Sequence, residues 1–263
     1  MPIIFLKERE KMKIAVAMHL YYLDLYDELK SYLKNLIPFP YDLYVTMPKE
    51  NMHFHFNLEK DFPNVRIIIA DNIGFDIYPF LCFLNTVTLD QYDLIFKIHS
   101  KKDIPIEYSL NGYDFSGSAW RLCLLSCILG SKERVQQIIG LFKREPKLGL
   151  VGPTELLIEE AAINRDIDVD KVEMFMEECE LSINKLEFIA GSIFVIRSEL
   201  LQPIKIRNFK ADEFPSYFPR DWNGLPYCLE RIFTFMVSSQ GYQVRTLPSI
   251  VRIKKSRHVN DIR

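Results

Sequence analysis

YDLIFKIHSKKD, residues 92–103, decides how the rest of the chain is read. Leu94, Ile95, Phe96 and Ile98 form a short apolar run flanked by Asp90 and Asp93, the pattern of a buried strand. The run then breaks into His99, Ser100, Lys101 and Lys102, all polar, at its C-terminal end. In open α/β sheets ligands bind in the crevice outside the carboxyl ends of the strands. Two ammonium groups, an imidazole and a hydroxyl in that position suit a diphosphate. The alternative is a solvated basic turn, and this stretch alone leaves both open.

Three further strands precede it. Residues 14–18 are apolar, uncharged and end at His19; residues 41–46 follow Pro38 and Pro40; residues 65–70 (VRIIIA) are rich in β-branched side chains. Between the first two, Leu25, Leu29, Leu33 and Leu36 recur at helical spacing. Residues 49–62 carry a weaker helical pattern. The order β-α-β-α-β with near-continuous apolar strands predicts a Rossmann-like, mostly parallel sheet with helices on both faces.

The segment DNIGFDIYPF (71–80) joins the third strand to the next helix. Asn72 and Gly74 fit a tight turn, with glycine accepting a positive φ. Asp76 precedes a helix that Pro79 is placed to start. Its carboxylate reads either as a helix cap or as an acceptor for ribose or sugar hydroxyls, and the two roles are compatible.

After the fourth strand, residues 103–117 show no periodicity and read as a long functional or mobile loop. A helix from Ser118 to Leu129 carries Trp120 and Arg121, and Val135, Ile138, Ile139 and Phe142 mark a second one. Residues 148–151 read as a strand and 154–184 as an acidic, solvated helical region. In EFIAGSIFVIR (187–197), Gly191 and Ser192 suit a turn where the backbone approaches another group closely. Residues 225–238 form a final helix with Leu229, Ile232, Phe233 and Met236 on one face and Glu230 on another; residues 243–247 are a last strand. The tail, 251–263, carries five Lys/Arg against one Asp, which reads as a solvated segment or as a contact for an anionic membrane surface.

The bulk composition excludes several classes. The 263 residues suit one α/β unit over 13–250, and 48% hydrophobic content supplies an ample core. A net charge of −2 argues against nucleic-acid binding. The apolar runs are strand-sized, and MPIIFLKEREKMK at the N-terminus is not a signal peptide, so a cytoplasmic protein is expected. Five cysteines without a CxxC pair read as buried free thiols in a reducing compartment. There is no GxGxxG after the first strand, no Walker loop, no GxSxG elbow and no HExxH. His53 and His55 lie in a polar stretch without further ligands. What remains is a set of polar residues at strand ends: His19, Asp71 to Asp76, and His99 to Lys102. Basic groups with carboxylates suit a nucleotide-sugar better than a bare phosphate.

Taken in order, IAVAMHLYYLDL (14–25), PFPYDLYVT (38–46), DNIGFDIYPFL (71–81), YDLIFKIHSKKD (92–103), LGSKERV (129–135), PKLGLVGP (146–153), IAGSIFVIRSELL (189–201) and LERIFTFM (229–236) resemble the rhamnan synthesis F family of bacterial polysaccharide-assembly proteins. The resemblance implies a glycosyltransferase of the A-type fold, with a donor-binding half (13–117) and an acceptor-binding half (118–250). It implies transfer of rhamnose or another hexose from a dTDP- or UDP-sugar to a saccharide or lipid-linked oligosaccharide, in synthesis of surface polysaccharides such as capsule or O-antigen. Peripheral contact with the inner face of the plasma membrane goes with such an acceptor. His19, Asn72, Gly74, Asp76, His99, Ser100, Lys101 and Lys102 would then bind the donor, while Gly191, Ser192 and Trp120 line the acceptor side. Glu230, with Asp221 second, would be the base for an inverting transfer; pairing of Glu230 with Arg231 is the competing role. Where that fold often carries a metal-binding Asp-x-Asp, this chain has His99-Ser100-Lys101, with no carboxylate before Asp103. The departure favours a diphosphate held by Lys101, Lys102 and His99 without Mg²⁺ or Mn²⁺. Two other readings remain: a non-catalytic carbohydrate-binding scaffold, and a phosphate-transferring or hydrolysing enzyme that uses His19 or His99.

Overall fold

The computed structural model describes residues 12–159, 169–214 and 224–256. The predicted βαβ pattern is present: β1 (Ile14–His19), α1 (Tyr26–Leu33), β2 (Tyr41–Met47), α2 (His55–Asp61), β3 (Arg66–Ile69), α3 (Ile77–Thr86) and β4 (Leu94–His99). The weakly patterned stretch after β2 is a 3-10 turn, Lys49–Phe54, running into α2. The second half adds β5 (Ile104–Leu110), β6 (Tyr113–Gly117), α4 (Ala119–Leu129), α5 (Lys132–Arg144), β7 (Leu148–Pro153), β8 (Leu157–Glu159), α6 (Val169–Glu178), β9 (Glu187–Ile189), β10 (Phe194–Arg197), α7 (Gln202–Arg207), α8 (Leu225–Ser239), β11 (Gln243–Leu247) and β12 (Lys254–Lys255).

Among the described residues seven strands make the central sheet, in the order β11-β7-β10-β4-β1-β2-β3. Every pairing is parallel except those of β10, which runs antiparallel between β4 and β7. The chain builds outward from β1 to β3, then returns to place β4 on the other side of β1. That reversal is a topological switch point, and it puts His19 in register with His99 at the carboxyl ends of the two strands. β3 is an edge strand with exposed and half-buried positions, unlike the buried strand its apolar run suggests.

Alternation along the strands divides the core. Ile14, Val16, Met18, Leu94, Phe96 and Ile98 pack beneath α1, α4 and α5 on one face. Ala15, Ala17 and Ile95 face the other way, with α3, α6 and α8. The small side chains of Ala15 and Ala17 leave room on that second face. Lys97, in register with Ala17 and Phe194, occupies it and is 2% exposed.

Two segments depart from the sequence-based expectation. Residues 104–117 form a β-hairpin, not an irregular loop: β5 and β6 pair antiparallel and β12 adds a third strand, so residues 254–255 of the basic tail are engaged in a sheet. Asn111 (φ 50°) and Gly112 (φ 74°) form its tip, the Asn-Gly pair that tight hairpin turns favour because both positions need positive φ. The acidic region 154–184 contains β8 paired with β9, and α6 buries Val172, Phe175 and Met176, so its charges decorate a packed element. Residues 160–168 of that run, 215–223 of the connection before α8, residues 1–11 and the tail from 257 lie outside the described residues. Within the described residues no helix is long and apolar enough to cross a membrane.

Candidate active site

The site grows from the burial of Lys97. A lysine is almost never fully buried unless paired, and here the ammonium donates to Asp76 Oδ2, to the Ser192 carbonyl at 2.8 Å and to Ser192 Oγ at 3.2 Å. The rings of Phe80, Phe194 and Phe233 surround it, with centroids 5.2, 5.9 and 5.9 Å from Nζ. Ser192 Oγ also donates to Asp76 Oδ2 at 2.5 Å. One carboxylate oxygen therefore joins three parts of the chain: the strand bearing Lys97, the loop before α3, and the turn before β10.

His99 Nδ1 approaches the same Oδ2 at 3.3 Å but is not aligned for a hydrogen bond. Burial pushes the His99 pKa down to about 3 and that of His19 down to about 4, so both imidazoles are neutral at pH 7. His19 Nδ1 lies 3.2 Å from the Thr46 carbonyl, a contact that requires the proton on Nδ1. Burial alone would raise the pKa of Asp76, yet the neighbouring His99 and Lys97, together with the hydrogen bonds from Lys97 and Ser192, hold it well below the usual carboxylate range. With His99 neutral, the Lys97 ammonium is the charge that keeps Asp76 ionised. Lys97 itself is pushed below the ordinary lysine value by burial, against the pull of Asp76. Every described contact to this carboxylate is made to Oδ2, which leaves Oδ1 to accept from a ligand.

Asp76 lies at the base of a cleft of about 170 Å³ lined by Phe75, Ile77, Lys101, Gly191, Ser192, Pro226, Tyr227 and Glu230. Five residues singled out from the sequence thus meet on one surface: Asp76, Lys101, Gly191, Ser192 and Glu230. Lys101 Nζ sits 5.3 Å from the Trp120 ring centroid and forms no ion pair among the described residues. Glu230 Oε1 accepts the Gly191 N–H at 2.6 Å, and burial raises the pKa of its carboxyl. Gly191 (φ 96°) and Ser192 (φ 49°) form the sharp turn read from the sequence. A Cβ on Gly191 would stand 2.7 Å from Trp120 Nε1 and from Leu124, so the turn is closely backed by α4. Trp120 lies behind the cleft wall, its buried Nε1 without a hydrogen-bond partner among the described residues.

The other sequence candidates are placed elsewhere or hold structure. Asp76 occupies the N-cap position of α3, but its side chain makes no capping bond, because Lys97 and Ser192 claim it. Ser100 Oγ accepts the N–H groups of Tyr21 and Tyr22, both at 2.9 Å, and so ties the exit of β1 to that of β4. Lys102 pairs with Asp24 over the Tyr22 ring, away from the cleft. Asp103 accepts from Arg121 at 2.5 Å, and Arg121 also bonds both oxygens of Glu28. Asn72 Nδ2 donates to the Tyr21 hydroxyl at an exposed position. Gly74 (φ 60°) lies under the Phe214 ring. His19 borders a small pocket of about 10 Å³ shared with Asp76 and Lys97, roughly the room of one water. Asp221 lies outside the described residues. Sequence reasoning passed over Lys97, Phe75 and Tyr227. A lysine inside an apolar strand was the available signal for the first; Tyr227 stands three residues before Glu230, hence on the same helix face.

Among the described residues the donor set does not fit a divalent cation. Among the described residues no three His, Cys, Asp or Glu side chains gather as ligands. Asp76 Oδ2 already carries the Lys97 ammonium, whose charge would repel a metal.

A family model, rhamnan synthesis protein F, matches residues 4–242. Two proteins named WxcX, from Xanthomonas campestris pv. campestris strains B100 and ATCC 33913, are each 30% identical over 189 residues, covering 71% of this chain and 26% of theirs. The chain thus spans about a quarter of the length of these curated relatives. Among solved structures, S. aureus TarS 1–349 aligns at a TM-score of 0.45 with 12% identity, over 92% of this chain and 59% of that one. Its complex with UDP gives 0.43 and 14%, over 90% and 61%. These likenesses are too distant to bear on activity.

Proposed function

The chain belongs to the rhamnan synthesis protein F family, and from that premise we propose that it is a metal-independent glycosyltransferase of A-type architecture acting in polysaccharide synthesis. The observation that carries this reading is the convergence of Lys101, Asp76, Ser192 and Glu230 on one cleft at the carboxyl edge of the sheet. In this reading residues 13–117 bind a dTDP- or UDP-sugar and residues 118–250 receive a saccharide or lipid-linked acceptor. Lys101, which forms no ion pair among the described residues, meets the diphosphate and takes up the charge that grows on it as the sugar departs. Asp76 Oδ1 accepts a sugar hydroxyl, with its ionised state secured by Lys97 from behind. Glu230 takes the proton of the acceptor hydroxyl as that oxygen bonds to the anomeric carbon and the bond to the diphosphate breaks. Burial raises its pKa above the ordinary carboxylate value, which makes it a stronger proton acceptor.

Calorimetric titration with UDP, dTDP, GDP and CDP, each with and without Mn²⁺, tests the reading. Saturable binding of one nucleotide is expected, indifferent to Mn²⁺ and weakened by about tenfold or more in Lys101→Ala, the loss of one charge-assisted contact. Binding that appears only with Mn²⁺ overturns the metal-free mechanism. No binding of any nucleotide favours a carbohydrate-binding scaffold instead.

A further inference from the structure

Phe75 combines two unusual features. It holds a positive φ of 58°, directly after Gly74 at 60°, and it is 42% exposed. A bulky residue in the left-handed region is strained and persists only where its surroundings impose it. The surroundings do so: Phe214 covers Gly74, the Gly74 carbonyl accepts the Ile77 N–H at 3.1 Å, and the next residue, Asp76, is locked by Lys97 and Ser192. The Phe75 ring is thereby held at the wall of the cleft. There it meets Tyr227 at 5.7 Å between centroids and an interplanar angle of 65°. The two rings form an apolar corner facing the polar groups of the same cleft.

The corner lies in the open cleft of about 170 Å³ that also holds Lys101 and Glu230. The C–H hydrogens on one face of a pyranose carry partial positive charge and are attracted to the negative face of an aromatic ring. Tyr227 and Glu230 share a face of α8, so a ring resting on Tyr227 brings its hydroxyls toward the Glu230 carboxylate.

We propose that Phe75 and Tyr227 form a platform for the acceptor saccharide, stacking the C–H face of one pyranose while Glu230 receives its hydroxyls. The assignment of the ring to the acceptor rests on the transferase reading; the platform itself does not. The probe is methyl α-L-rhamnopyranoside, the monosaccharide unit of a rhamnan, observed by saturation-transfer NMR against the full chain. Binding is expected to weaken about tenfold in Phe75→Ala and in Tyr227→Leu, and to survive in Phe75→Tyr, which keeps a ring in the same backbone conformation. Nucleotide affinity, measured on the same samples, is expected to stay unchanged in all three. Unaltered saccharide binding in both ring-deleted variants overturns the platform. A fall in nucleotide affinity in Phe75→Ala with intact thermal unfolding also overturns it, since the corner would then hold the base. Saccharide binding that depends on Phe75 in a chain that binds no nucleotide sustains the platform while removing the transferase.

Discussion

Lys97 shows how one residue can organise a site without lining it. Its ammonium is buried at a cost that the Asp76 carboxylate, the Ser192 oxygens and three aromatic rings offset together. Lys97→Met would leave Asp76 as a buried charge without its counter-ion. Removing one partner of such a pair costs about 3–5 kcal/mol, whereas replacing both is often close to neutral. In urea denaturation, Lys97→Met is therefore expected to lose about that much stability, and Lys97→Met with Asp76→Asn to regain a substantial part. Additive losses in the double variant would contradict the pairing.

The turn 190–192 works as an element between β9 and β10. It supplies the Gly191 N–H to Glu230 and the Ser192 hydroxyl to Asp76, so both carboxylates of the cleft take their position from it. Gly191 is required there twice over, by its φ of 96° and by Trp120 and Leu124 at 2.7 Å from any added Cβ. Gly191→Ala is expected to destabilise the protein by about 1–3 kcal/mol and to displace the turn. Thermal unfolding measures the first effect, and loss of the saccharide signal measures the second. An alanine variant with wild-type stability and binding would show that the turn can yield.

For the molecule as a whole, the switch point places two neutral imidazoles and a carboxylate in a poorly solvated interior. Above pH 6.5 the imidazoles are neutral whether the chain is folded or unfolded. As the pH falls below 6.5 the unfolded chain takes up protons on His19 and His99, while the folded chain resists until about pH 4 and 3. Stability present above 6.5 is therefore lost toward acid, by on the order of 1.4 kcal/mol per pH unit for each imidazole within its window. Asp76, depressed below its ordinary 3.8, adds a loss with the same sign at still lower pH. Urea midpoints followed from pH 7 to pH 4 should decline, and the decline should be shallower in His19→Asn. A flat wild-type profile would contradict the burial of both rings.

The sequence by itself determined the strand–helix alternation, the mostly parallel sheet and the family, because apolar periodicity and ordered short motifs are local properties of the chain. It also pointed to Asp76, Lys101, Gly191, Ser192 and Glu230 as candidates. The hairpin over 104–117 was legible in Asn111-Gly112 but obscured by irregular strand patterning, with its β5 positions mostly exposed. Only the tertiary structure decided which polar residues share a cleft. Lys101 and Lys102 are adjacent in sequence, yet one faces the cleft beside Trp120 and the other pairs with Asp24. Lys97 looks like an interruption in a strand until Asp76 and Ser192, 21 and 95 residues away in the chain, are brought to it. Such partnerships follow from where the sheet order returns the chain to itself, and no local pattern records that order.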